Sequence, residues 1–316
     1  MSAPLRLGVL GGGSYVFAQA IVPAVAGLDE VELVAVASRS GATDPRWADV
    51  AVDTYEQVLD ACEAVYVPLP NDLHLPWVEA AATRGVHVLC EKPLAPTAAA
   101  AAACAAACRD AGVLLAEAWM TPFHPVGEVV AGAVADGLVG DLLRVDATFT
   151  FTIGPDDTDN YRWSAAHGGG ALLDLGIYTL GPVLDLLEDP QPVTTTLRMR
   201  GDVDATFQAV LRGRGGVVAT CTGSFEAPER QLLEVTGTAG RLRVVRPFTP
   251  DRDTDTVVLD TDRGTQQLPV PGACDPYAAM LAAFAAAVRG EAPWPRPASE
   301  AVALAHLLEQ VRELAG

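Results

Sequence analysis

Five short apolar runs in the first 120 residues, each set off from the next by a stretch of helical spacing, constrain this chain more than any other feature. They are RLGVL (6–10), VELVAVA (31–37), AVYVPLP (64–70), VHVLC (86–90) and VLLAEA (113–118), with helical patterns near 16–27, 55–61, 74–84 and 97–111. Runs of Val, Leu and Ala without polar alternation belong to strands buried on both faces, and a helix between successive strands makes them parallel. A doubly wound sheet covers both faces, and it takes its ligands at the carboxyl ends of its strands.

Beyond residue 121 the pattern changes. A helix is expected over 124–136, and then LLRVDATFTF alternates: Leu143, Val145, Ala147, Phe149 and Phe151 against Arg144, Asp146, Thr148 and Thr150. A period of two belongs to a half-exposed strand. More strands are expected near 193–200, 203–211, 216–223, 231–236, 240–246 and 255–260, joined by the turn-like RGRGG, GTAG and TDRG. The fold class is therefore α/β: an N-terminal doubly wound parallel (Rossmann) sheet, then an α/β domain on a largely antiparallel open sheet. Closing helices near 276–289 and 298–314 cover a face or cross back to the first domain. A length of 316 residues suits two cores better than one.

Composition removes several classes of function. A formal charge of −19 argues against nucleic acid, which needs a basic patch. The five histidines are scattered, with no HExxH and no Cys/His cluster, so no metal is expected. The longest apolar run, 95–107, is too short and too weakly hydrophobic to span a bilayer, so no membrane partner is expected. The first residues read as a buried strand rather than an export signal. The six cysteines form no CxxC pair; Cys104 and Cys108, one helical turn apart, read as small buried thiols. A reducing cytoplasm is the compartment expected.

GVLGGGS ends the first strand and opens a helix. Gly11 and Gly13 supply the first two glycines of G-x-G-x-x-G, the third position is Val16, and Ser14 joins them as a phosphate-side candidate. The second strand ends in VAVASRS, where an NAD site places Asp or Glu on the ribose hydroxyls. Ser38, Arg39 and Ser40 stand there instead, and an arginine fork suits a 2′-phosphate, which favours NADP(H) over NAD(H). After the third strand, Pro68 and Pro70 stiffen the loop, and Asn71 and His74 could face the nicotinamide. His74 could equally be an ordinary helix N-terminal residue. The expected domains are 1–121, dinucleotide-binding, and 122–316, substrate-binding and oligomerisation.

Glu91-Lys92-Pro93 follows the fourth strand. Lys92 is the chain's only lysine; every other one of the 21 Lys+Arg positions is arginine. A guanidinium stays protonated at any working pH, whereas a lysine exchanges its proton once burial or charge lowers its pKa. Acid–base work by a cation is what separates the two residues. In the second half, Asp174 and Tyr178 are four apart and share one helical face behind the glycines at 168–170. Leu172, Leu173, Leu175 and Ile177 make that helix mostly buried, so Asp174 needs a partner. A dipole-favoured Asp with a core tyrosine is the structural alternative.

With GVLGGG, PLPNDLH, EKPLA, NYR (160–162), GGGALLDLGIY and LEVTGTAGRLRV in place, the chain resembles the Gfo/Idh/MocA oxidoreductases nearly end to end. They are named for glucose–fructose oxidoreductase, inositol dehydrogenase and a rhizopine-catabolism protein. The resemblance implies that Lys92 is the catalytic lysine and that Glu91 and Pro93 shape the nicotinamide pocket. Arg162 matches an arginine touching substrate or cofactor, and Trp119 and Asp174 are further substrate-side candidates, with the 152–163 loop lining the pocket. Tyr178 stands where many members have His. That resembles the branch with glucose–fructose oxidoreductase, dihydrodiol dehydrogenases and deoxysugar 3-ketoreductases, and it moves proton transfer to Tyr178, assisted by Lys92. The segment between the glycine loop and Pro23 is one residue longer than the family spacing. The function implied is NADP(H)-dependent interconversion of a secondary alcohol and a ketone on a sugar, deoxysugar or cyclic polyol, in a homodimer or homotetramer built through the C-terminal sheet. A dinucleotide-binding regulator, and an enzyme that keeps its cofactor for glycoside cleavage or sugar-to-sugar hydride exchange, are the alternatives.

Overall fold

The computed structural model describes residues 3–39, 41, 44–154, 157 and 160–315; Ser40 and part of the 152–163 loop lie outside the described residues. The chain forms two compact units, Met1–Met120 with Tyr277–Ala305, and Thr121–Pro276 with His306–Gly316.

In the first unit, strands β1 (Leu5–Leu10), β2 (Val31–Ala37), β3 (Ala51–Val52), β4 (Ala64–Val67), β5 (His87–Glu91) and β6 (Leu115–Ala118) form one sheet in the order β3-β2-β1-β4-β5-β6. Every pairing is parallel. The strand order reverses between β1 and β4, so the ligand crevice of a doubly wound sheet opens at their carboxyl ends. Helices α1 (Val22–Ala26), α2 (Tyr55–Ala61), α3 (His74–Thr83) and α4 (Ala98–Ala111) connect the strands. Sequence punctuates them. Thr54 and Gln57 make a reciprocal capping box before α2, and the Thr97 hydroxyl accepts the Ala100 N–H at 3.2 Å before α4. Cys104 and Cys108 lie buried on α4, where burial pushes their thiols up to about 12 and about 11. Between β1 and α1 the helix passes through a π turn, Phe17–Ile21. A π turn holds one residue more than an α turn.

The expected span 122–316 is not one unit. Helix α7 (Pro276–Val288) and the start of α8 (Ala298–Glu313) return to the first unit, because their apolar and polar groups are satisfied there. Ala301 and Ala305 join its core, and the Arg289 guanidinium donates to the carbonyls of Ala3 at 2.6 Å and Glu30 at 2.9 Å. No helix among the described residues is long and apolar enough to cross a membrane.

The second unit holds helices α5 (Val126–Ala135) and α6 (Ala171–Leu186). Its strands are β7 (Leu142–Thr150), β8 (Gln191–Arg200), β9 (Val203–Arg212), β10 (Val218–Ser224), β11 (Arg230–Gly237), β12 (Gly240–Val244), β13 (Thr256–Thr261) and β14 (Gly264–Pro269). They form one open sheet in the order β14-β13-β12-β11-β7-β10-β9-β8, antiparallel except where β7 meets β10. Helix α6 packs on β7, β9 and β10 over Phe149, Phe207 and Cys221. The approach is close at Gly223, where a Cβ would overlap the Phe207 ring and sit 3.0 Å from the Leu175 Cβ.

The start of α6 is built by glycines and one distant carboxylate. Gly170 has φ 109°, which L side chains avoid, and a Cβ there would overlap the Asp204 carboxylate. Asp204, buried on β9, accepts the Leu172 N–H at 2.6 Å, so a neighbouring strand satisfies one of the unpaired amides of the first helical turn. Burial lifts this carboxyl from 3.8 to about 6, against the pull of the Leu172 N–H. Between those values the folded chain keeps a proton that the unfolded chain has released. On this account stability is full below the lower value and falls as pH rises through the upper one. Asp204→Asn removes the dependence. Across that window the variant's unfolding free energy should gain on the parent's by on the order of 2 kcal/mol, read from thermal melts at stepped pH. A gap that stays constant with pH contradicts this assignment.

Candidate active site

In the first unit, three loops gather at the carboxyl ends of β1, β4 and β5. The amides of Gly11 and Gly12 both donate to the Ala37 carbonyl at 2.9 Å, folding the glycine loop back on the end of β2. Gly13 is exposed and Ser14 half-buried, its hydroxyl accepting the Phe17 N–H at 3.4 Å as the helix begins. Gly11 has φ 117°, and a Cβ on it would lie 3.1 Å from Leu69 and 3.3 Å from the Pro68 carbonyl. It would fill the space between the loops where a doubly wound fold receives a pyrophosphate. At the end of β2, Ser38 is half-buried and Arg39 exposed, close enough to Tyr55 for its charge to act on that hydroxyl. With this bare loop and no acid at the β2 end, the residues fit NADP(H).

The loop after β4 leads into His74 at the start of α3. The imidazole is fully buried, with Nε2 2.9 Å from the Leu69 carbonyl and Nδ1 3.1 Å and 3.2 Å from the carbonyls of Pro93 and Leu94. Contacts to three backbone oxygens tie the 69–74 loop to the turn after β5. Asn71 is buried beside it and Pro70 half-buried.

Lys92 follows β5 directly, in a cis peptide with Pro93, and is bracketed by two carboxylates. Glu91 accepts the Lys92 N–H at 3.1 Å on one oxygen and the Tyr66 hydroxyl at 2.6 Å on the other. Burial, and then the Glu91 charge, push that phenol well above its ordinary range. Glu117, on β6, accepts the Leu94 N–H at 2.7 Å. Neither Glu117 nor Tyr66 was among the candidates. The signal was present in VLLAEA, where one acid stands in an otherwise apolar strand and must find partners. The Trp119 indole is 3 % exposed beneath Arg296, whose guanidinium carbon lies 4.9 Å from the ring centroid in a cation–π contact.

In the second unit, Arg162, Asp174 and Tyr178 come together. The Arg162 Nε donates to Asp174 Oδ2 at 2.7 Å and a terminal nitrogen lies 3.4 Å from Oδ1. The glycines make this possible. The Gly170 N–H donates to the Arg162 carbonyl at 2.9 Å, and a Cβ on Gly169 would stand 2.5 Å from that same oxygen. Burial opposes the Arg162 charge, but Asp174, Tyr161 and Tyr178 outweigh it and hold the guanidinium protonated. Tyr178, one turn beyond Asp174, is buried edge-on against Phe149 with centroids 5.2 Å apart. Packing fixes the ring.

Removing one member of a largely buried ion pair costs about 3–5 kcal/mol. Arg162→Met should therefore lower unfolding free energy by about 3 kcal/mol in urea titrations, with part recovered in Arg162→Met/Asp174→Asn. A loss below about 1 kcal/mol would show that the Asp174 charge is balanced chiefly by other groups.

The chain is similar to known proteins over most of its length. Residues 5–118 match the oxidoreductase family with an NAD-binding Rossmann fold, and residues 129–243 match the GFO/IDH/MocA C-terminal domain. The chain is 38 % identical to a D-xylose 1-dehydrogenase (NADP(+)) of Haloferax volcanii, over 92 % of this chain and 91 % of that one. It is 36 % identical to the dTDP-3,4-didehydro-2,6-dideoxy-alpha-D-glucose 3-reductase of Actinomadura kijaniata, over 92 % and 90 %. The crystal structure of KijD10, a 3-ketoreductase from Actinomadura kijaniata in complex with NADP and TDP-benzene, superposes with a TM-score of 0.90 at 33 % identity, covering 98 % of both chains. The chain belongs to the Gfo/Idh/MocA oxidoreductase family.

Proposed function

We propose that the protein is an NADP(H)-dependent oxidoreductase that interconverts a secondary alcohol and a ketone on a sugar, deoxysugar or related cyclic polyol. The observation that carries this reading is Lys92, the only lysine of the chain, set directly after a parallel strand and bracketed by Glu91 and Glu117. Support comes from relatives that are an NADP(+) xylose dehydrogenase and a deoxysugar 3-reductase. Gly11, Gly13 and Ser14 would hold the pyrophosphate, and Arg39 with Ser38 the adenosine ribose and its 2′-phosphate. Glu91, Pro93, Pro70 and Asn71 would shape the nicotinamide side, with His74 fixing their loops. Bound NADP(H) supplies hydride chemistry. Tyr178 exchanges the proton of the substrate oxygen, a transfer to which Lys92 contributes a cation that can itself deprotonate. Asp174, oriented by Arg162, binds a substrate hydroxyl.

Residues 1–121 as the cofactor domain and the remainder as the substrate domain, with 277–305 returning, complete the assignment. Thr148, Thr220, Thr222 and Gln208, on the sheet face away from α6, suit a homodimer or homotetramer contact, which light scattering would test. Six free cysteines fit a reducing cytoplasm.

The test follows nicotinamide absorbance with free and nucleotide-linked keto-sugars. General acid–base help is worth about 10²–10⁴-fold, so Lys92→Arg should lose turnover on that scale while NADPH still binds. Near-parental turnover in Lys92→Arg removes the lysine from the proton path. Arg39→Ala should raise KM for NADP(H) without a matching rise for NAD(H). No turnover in the parent across the panel favours a regulator, and NADP(H) that persists through gel filtration favours the hydride-exchange alternative.

A further inference from the structure

The parallel sheet places a second carboxylate at the lysine's loop. Glu117 stands opposite Cys90 in the β5–β6 register, one residue before the Glu91–Ala118 pair. From there its Oε1 takes the Leu94 N–H, two residues past Lys92. This is a bond from the neighbouring strand to the turn itself, so the position of Lys92 depends on a residue 25 places away in sequence. We infer that Glu117 is a positioning residue for Lys92: it fixes the turn through the Leu94 N–H, and its charge sets how firmly the Lys92 amine holds its proton. The inference rests on Lys92 being the proton-exchanging cation of the proposed function.

The charged surroundings of Glu117 are mixed. Loss of water pushes its carboxyl up from 4.5 to about 7, and the Glu91 charge adds to this. The Leu94 N–H, Arg296 and Lys92 pull the other way. The Cys90 thiol, buried between the two strands, is raised well above its ordinary range by burial, with Glu91 and Glu117 among the charges adding to it. Arg296 is itself anchored, over Trp119 at 4.9 Å and to Glu300 at 3.2 Å. An interaction between two titrating groups is reciprocal, so the effect of Lys92 on Glu117 is matched by an effect of Glu117 on Lys92. A carboxylate acting only as a loop brace needs an oxygen for the Leu94 N–H, whether or not it ionises. A carboxylate acting also on the lysine must carry charge.

Glu117→Gln separates the two, because it keeps an oxygen for Leu94 and removes the charge. The chain's single lysine makes the measurement direct. Reductive methylation with ¹³C-formaldehyde gives one side-chain dimethylamine resonance, identified by its loss in Lys92→Arg, and its chemical shift is followed against pH. In Glu117→Gln the amine should hold its proton about tenfold less tightly than in the parent, one pH unit lower in midpoint. Glu117→Ala should show at least that fall and also broaden the resonance as the turn loosens. A Glu117→Gln midpoint within about twofold of the parent overturns the inference and leaves a loop brace alone. The titration needs no substrate. If the parent turns over no keto-sugar yet the midpoint shifts, the proposed function fails and the coupling stands; an active parent with an unshifted midpoint gives the reverse.

Discussion

A carboxylate taken out of water must be given donors, and the functional regions of this chain are organised by that requirement. Glu91 is held by a tyrosine hydroxyl and the backbone of Lys92, Glu117 by the backbone of Leu94, Asp174 by Arg162, and Asp204 by the backbone of Leu172. Each acid lies on a regular element and reaches a turn or a helix start. Strands and helices are rigid, so the turns inherit that rigidity. Hydrophobic packing makes the two cores, but these four acids fix the turn after β5, the 160–162 segment and the start of α6. The desolvation cost they carry is the reason two of them, Glu117 and Asp204, are raised toward neutrality.

Much of the fold was legible in the sequence because its strands are of two unmistakable kinds. VELVAVA is apolar except for Glu32 and lies between two parallel neighbours. LLRVDATFTF alternates and lies in a sheet with one face on α6. What escaped notice lacks either signature. Strand β14 is an edge strand whose residues GTQQLP are nearly all exposed, so burial imposed no pattern on them. Strand β3 has two residues, too few to carry a period. The return of 277–305 to the first unit was left open, since an amphipathic helix does not state which core it joins.

The site was legible where chemistry restricts residue type, and obscure where geometry does. Lys92 announced itself against a background of arginine, and the glycines at 168–170 marked a helix start. His74 and Trp119 illustrate the opposite. Both side chains are compatible with a ligand, and no local spacing announces the carbonyls around one or the guanidinium over the other. Asp204 is 32 residues from Leu172, whose N–H it accepts at the start of α6, a separation that no local spacing encodes.

The π turn at Phe17–Ile21 bears on how such a chain changes over time. An inserted residue in a short connecting loop would push the glycines away from β1 or drag the following helix off the sheet. A widened helical turn can house such a residue, and here Leu10 and Ile21, on either side of the glycine loop, are both buried. The loop facing the ligand and the helix facing the core are thereby insulated from each other. The first can gain or lose length, and so acquire a new binding profile, while the second continues to pack as before.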